Sequence, residues 1–83
     1  MEIQRRIAVV GLVIDKPSES ADRVNEVLSK YGHLIVGRMG IPYREKGIAI
    51  ISLIVDGTTD EISSMTGKLG NIAGVKVRSA VTV

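Results

Sequence analysis

The two halves of this chain of 83 residues repeat each other, and a repeat constrains a fold more than any single motif can, because both halves must solve the same packing problem. Shifting the sequence by 41 positions, from Ile7 to Ile48, also lays Ala8 on Ala49, Val9 on Ile50, Leu12 on Leu53, Ile14 on Val55 and Asp15 on Asp56. The same shift pairs Val24 with Met65, Leu28 with Leu69, and Val36 with Val77. The halves meet near residue 42, so they run over about 1–42 and 43–83.

Each half reads as strand, helix, strand. Arg5 to Ile14 is rich in Val and Ile and apolar at nearly every position, which suits a strand covered on both faces. Asp15-Lys16-Pro17-Ser18 breaks it, with Pro17 or Ser18 placed to open a helix. Ala21, Val24, Val27, Leu28 and Tyr31 then recur at three- and four-residue spacing, the stripe of an amphipathic helix that Gly32 can cap. His33 to Ile41 and Gly47 to Val55 read as two strands joined by a hairpin around Tyr43-Arg44-Glu45-Lys46, with Pro42 at a strand end or on an edge. Asp56-Gly57 ends the second of these, and Thr58 with Glu61 makes a capping box for a helix carrying Ile62, Met65, Leu69 and Ile72. Gly67 and Gly70 weaken that helix, each by about 1 kcal/mol relative to alanine in an interior position. Val75 to Val83 alternates apolar and polar residues as an edge strand does.

Right-handed crossovers on this repeat give an α+β fold, a ferredoxin-like βαββαβ two-layer sandwich: a four-stranded antiparallel sheet with two helices on one face. The first and third strands are expected at its centre and the second and fourth at its edges. A chain of this length buries only about 60–65% of its unfolded surface, so residues 1–83 are expected to form one domain.

Helices on one face leave the other bare. Along the central strands one set of side chains is Ala8, Val10, Leu12 and Ile14 with Ala49, Ile51, Leu53 and Val55. The other is Ile7, Val9, Gly11 and Val13 with Ile48, Ile50, Ser52 and Ile54. Only one set can meet the helices. If the second is outermost, Ile7, Val9, Val13, Ile48, Ile50 and Ile54 remain in water, each forgoing roughly 1.5–3 kcal/mol of burial. Their total is on the order of 10 kcal/mol, comparable with the whole stability of a small domain at about 5–15 kcal/mol. A homo-oligomer, dimer or tetramer, in which sheets stack face to face on these six or edges pair into a continuous sheet, is therefore expected.

Chemistry-bearing motifs are sparse. Absence of cysteine excludes thiol nucleophiles and thiolate metal sites. His33 is the only histidine, so no metal site or cofactor is expected. The charged MEIQRR before IAVVGLVI resembles a signal peptide, but the apolar run ends at Asp15-Lys16-Pro17 without a small-residue cleavage site and falls short of the roughly 18 residues a membrane span needs. No membrane partner and a cytoplasmic location are expected. A net charge of +2 and only two aromatics, Tyr31 and Tyr43, give no stacking platform for single strands, so direct nucleic-acid binding is not expected either. The ligand candidates are Gly37, Arg38 and Gly40 in the hairpin strand, where missing side chains allow close approach and a guanidinium can pair with a carboxylate or phosphate, and Asp15 at the first strand-to-helix connection.

The stretch YGHLIVGRMGIPYREKGIAIISLIVDG, followed by SSMTGKLGNIAGVKV, resembles the iron-only hydrogenase system regulators over nearly the whole chain, at Val36 to Tyr43, Gly47, Ser64, Gly67 to Gly70 and Gly74. More distantly the architecture looks like ACT domains and the C-terminal domain of the nickel-responsive repressor. The resemblance implies a non-enzymatic, oligomeric regulatory domain that senses a small-molecule effector at a subunit interface, with a separate protein partner as a further candidate and its DNA binding left open. The alternative is a structural module that assists assembly of a redox system without a ligand. An acylphosphatase-like hydrolase would need an arginine-bearing anion loop after the first strand, where this chain has Asp15-Lys16-Pro17-Ser18-Glu19-Ser20.

Overall fold

The computed structural model describes residues 4–83, so the first three residues of the expected domain lie outside the described residues. Its elements are β1 (Arg5–Ile14), α1 (Pro17–Lys30), β2 (Ile35–Tyr43), β3 (Ile48–Thr58), α2 (Thr59–Gly70) and β4 (Val75–Val81), with 3-10 turns at Gly32–Leu34 and Arg44–Lys46. The sheet runs β2-β3-β1-β4 with every neighbour antiparallel, which is the ferredoxin-like arrangement with β1 and β3 at its centre.

The core lies between this sheet and the helices. Ala8, Val10, Leu12 and Ile14 of β1 and Ile51, Leu53 and Val55 of β3 are buried against Val24, Leu28, Ile62, Met65 and Leu69. Alternation along the strands puts the remaining residues on the far side. Polar ties fix the layers: Ser20, the one buried polar residue among those described, donates its hydroxyl to the Ala73 carbonyl at 3.0 Å. The Asp15 N–H donates to the Gly74 carbonyl at 2.8 Å. The end of β1 and the turn into β4 are thereby held together.

Local signals set most boundaries. Pro17 opens α1 at its first turn, where its missing N–H costs nothing. Thr58 accepts from the Glu61 N–H at 3.1 Å while the Glu61 carboxylate accepts from the Thr58 N–H at 2.9 Å, a complete capping box on α2. Gly47 ends the hairpin turn with φ 68°, the left-handed conformation that favours glycine.

Several boundaries differ from the sequence expectation, and β4 ends at Val81 where Val83 was expected. Gly32 does not cap α1 in a left-handed conformation; a 3-10 turn follows, in which Leu34 N–H bonds Tyr31 C=O at 2.9 Å and Leu34 is driven into the core. That turn delays β2 by two residues, and its pairing continues through Pro42, opposite Ala49. Nor does Asp56-Gly57 end β3, since Asp56 pairs with Ile7 and Gly57 with Arg6. Gly57 is needed for a close approach: a Cβ there would lie 2.8 Å from Leu34 Cδ2.

Candidate functional site

Two features of the sheet stand out, one on each face. On the face away from the helices, the register sets Val9 of β1 opposite Ile54 of β3 and Val13 opposite Ile50, with Gly11 opposite Ser52 between them and Ile7 and Ile48 at opposite ends of the same face. Val9 is 43% exposed and Ile54 47%, while Val13, Ile48 and Ile50 are half-buried by their neighbours. Strand β2 widens the patch. Met39 lies opposite Ser52 and Ile41 opposite Ile50, and both are exposed. Charge is confined to the margins: Lys76 and Arg78 of β4 lie opposite Val13 and Gly11, and Arg5 Nε meets Asp56 Oδ1 at 3.1 Å at one end.

The free edge of β2 is poorly made for pairing. It carries Pro42, which has no N–H to offer, and a bulge between Ile35 and Gly37, two devices that discourage strand addition. The bare face is the better contact surface.

On the helix side, β2 presents Arg38, Gly40 and Pro42, opposite the buried or half-buried Leu53, Ile51 and Ala49. Helix α1 does not close over this edge. A pocket of about 220 Å³ remains between α1 and the β2–β3 hairpin, with apolar walls that include Val24, Ile51 and Pro42. At its polar rim an Arg38 guanidinium N–H donates to Asn25 Oδ1 at 3.0 Å. Arg38 has no ion-pair partner among the described residues. A Cβ on Gly40 would stand 3.9 Å from Ile51 Cγ1, so the missing side chain is part of the open space. Gly37 adjoins the bulge, and a Cβ there would meet nothing within 4 Å.

Asp15 is not part of this site. It lines a different concavity with Lys16, Glu19, Ser20, Ala73 and Gly74, so the structure joins Arg38 and Gly40 but separates Asp15 from them. Asn25 was missed by sequence reasoning. It stands one helical turn after Ala21 on the wall of the same pocket, and no pattern in the sequence pairs it with Arg38.

The helices carry a second polar cluster. Tyr31 Oη and Ser64 Oγ are 2.7 Å apart, and the Lys68 ammonium lies 5.2 Å from the Tyr31 ring centre. Lys68 first, and then Ser64, hold the Tyr31 hydroxyl below the usual phenol range. His33 Nε2 lies 3.6 Å from Glu61 Oε2. Among the described residues no group of three histidines, cysteines or acids could hold a metal ion, and no helix is long and apolar enough to cross a membrane.

Comparison with known proteins places this geometry. The model of the TM1266-like family, described as an iron-only hydrogenase system regulator, matches residues 6–79. The uncharacterized protein TM1266 from Thermotoga maritima is 32% identical, with a TM-score of 0.93 over 96% of this chain and 100% of that one. The ACT domain from GTP pyrophosphokinase of Chlorobium tepidum is 20% identical, with a TM-score of 0.75 over 95% of this chain and 90% of that one. A nitrogen regulatory PII-like protein from Thiomonas intermedia K12, bound to ADP, AMP and bicarbonate, shares 9% identity and a TM-score of 0.51, covering 96% and 94% of the two chains. Both of the latter establish likeness of fold. No curated protein matches the sequence.

Proposed function

The chain belongs to the TM1266-like family of iron-only hydrogenase system regulators, and from that premise we propose that it is a non-enzymatic regulatory domain that works as a homo-oligomer and responds to a small-molecule effector. The observation that carries this reading is the bare face. Six aliphatic side chains, Ile7, Val9, Val13, Ile48, Ile50 and Ile54, are spread along the side of the sheet that no helix covers, with Ile7, Val9 and Ile54 exposed. A second copy of the same face is the occupant, because the patch is mostly aliphatic around the uncharged Gly11–Ser52 pair and charged only at its margins, and because the β2 edge is guarded by Pro42 and a bulge.

Effector and assembly meet at the hairpin. Ile41 and Ile50 line the pocket beside Arg38, and they also pair with each other on the bare face. A ligand held by the pocket stiffens the strands that the second copy covers, so binding and association are linked, each strengthening the other by the same factor. Regulation by a protein without a catalytic centre needs no more than this.

The experiment is a charge placed in the patch. Val9→Lys is expected to dissociate the oligomer by sedimentation velocity while circular dichroism and thermal unfolding still show a folded chain. An oligomer that survives this substitution contradicts the reading.

A further inference from the structure

We infer that the pocket between α1 and the β2–β3 hairpin binds a simple aliphatic monocarboxylate, with its carboxylate on Arg38 and Asn25 and its tail against Val24, Ile51 and Pro42. Apart from Arg38 and Asn25 every residue lining the pocket is apolar or glycine. Arg38 spends one N–H on Asn25 and has no acidic partner among the described residues, which leaves donors free for a planar anion. The Asn25 amide nitrogen, whose oxygen is already engaged by Arg38, is a further donor at the same rim.

Size and charge narrow the class. A space of about 220 Å³ filled at the density of a protein interior holds about eight non-hydrogen atoms, the size of a branched or straight six-carbon acid. No aspartate or glutamate lines the pocket. An α-amino acid would bring an ammonium beside Arg38 with no carboxylate to receive it, and a dicarboxylate would place a second charge against aliphatic walls. Both are disfavoured relative to the simple acid. Gly40 is the size filter, since a larger residue there would project from the helix-facing side of β2 into the space.

This rests on the regulatory reading for the consequence of binding, though not for its chemistry. Isothermal titration of the full chain with 4-methylpentanoate tests it, with 4-methylpentanamide, leucine and acetate as comparators. Saturable binding of one 4-methylpentanoate per chain is expected, with each comparator at least tenfold weaker. Arg38→Gln and Gly40→Val should each weaken 4-methylpentanoate at least tenfold while the amide NMR spectrum remains that of the folded protein. Gly40 does not have a positive φ, so valine is compatible with its place in a strand. Absence of saturable binding at millimolar concentration overturns the inference, as do leucine binding equally well or an Arg38→Gln variant of unchanged affinity. An oligomer that binds no acid leaves the regulatory reading standing without this ligand. A monomer that binds 4-methylpentanoate upholds the pocket and refutes the assembly.

Discussion

A methyl group on Gly57 would lie 2.8 Å from Cδ2 of the buried Leu34 and 3.4 Å from Glu61 Oε1. Gly57→Ala is therefore expected to destabilise the fold by about 1–3 kcal/mol, measured by urea unfolding; an unchanged midpoint would show that Leu34 can move aside. The sequence offers this glycine as a strand terminator, because glycine after aspartate is a turn signal. Its actual role depends on Leu34, which reaches it from a 3-10 turn 23 positions earlier in the chain, and no local pattern announces that. The neighbouring capping box was legible, since the Thr58 to Glu61 spacing is itself the motif. Thr58, chiefly through its backbone N–H, with Arg5 and His33 more weakly, holds the Glu61 carboxyl below its ordinary range. A depressed carboxyl stabilises the fold fully above the unfolded carboxylate range and loses that stabilisation as pH falls through the folded value. Between about pH 5 and pH 2, the melting temperature should fall more steeply for the wild type than for Glu61→Gln, and parallel curves would contradict the assignment.

Helix α2 is the element with the clearest unused capacity. Gly67 lies in its interior, and a Cβ there would meet nothing within 4 Å. Gly67→Ala should thus raise stability by about 0.5–1 kcal/mol by thermal or urea unfolding. Destabilisation would instead indicate that another surface packs against the glycine. The helix stripes and the two central strands were legible because apolar periodicity reports burial directly. The start of β2 was not. A 3-10 turn takes up His33 and Leu34, which a propensity reading assigns to the strand, and the burial of Leu34 compensates for the shortened pairing. Arg38 and Gly40 were legible as candidates from their residue types alone. The pocket that joins them to Asn25 arises from where α1 stops covering the sheet, a fact of packing between elements that sequence spacing does not encode.

At the scale of the whole molecule, the repeat determines the architecture and the architecture leaves one face bare. Which set of strand residues would be outermost was open in the sequence, because both sets are aliphatic; the structure buries Ala8, Val10, Leu12 and Ile14 and leaves the other set outside. Charge then restricts how two such faces stack. Lys76 and Arg78 mark the β4 side, whereas the β2 side presents Met39 and Ile41. A two-fold axis along the strands sets β2 over the partner's β4 and keeps the cations apart, while an axis across the strands sets them against each other. Met39→Glu should accordingly tighten association, by placing a carboxylate near the opposing cations, and weakened association would exclude that stacking. The most direct test of the account is sedimentation equilibrium of the wild-type chain at micromolar concentration. A mass of two or four chains is expected, and a single monodisperse species at the mass of one chain, 8.9 kDa, would contradict it.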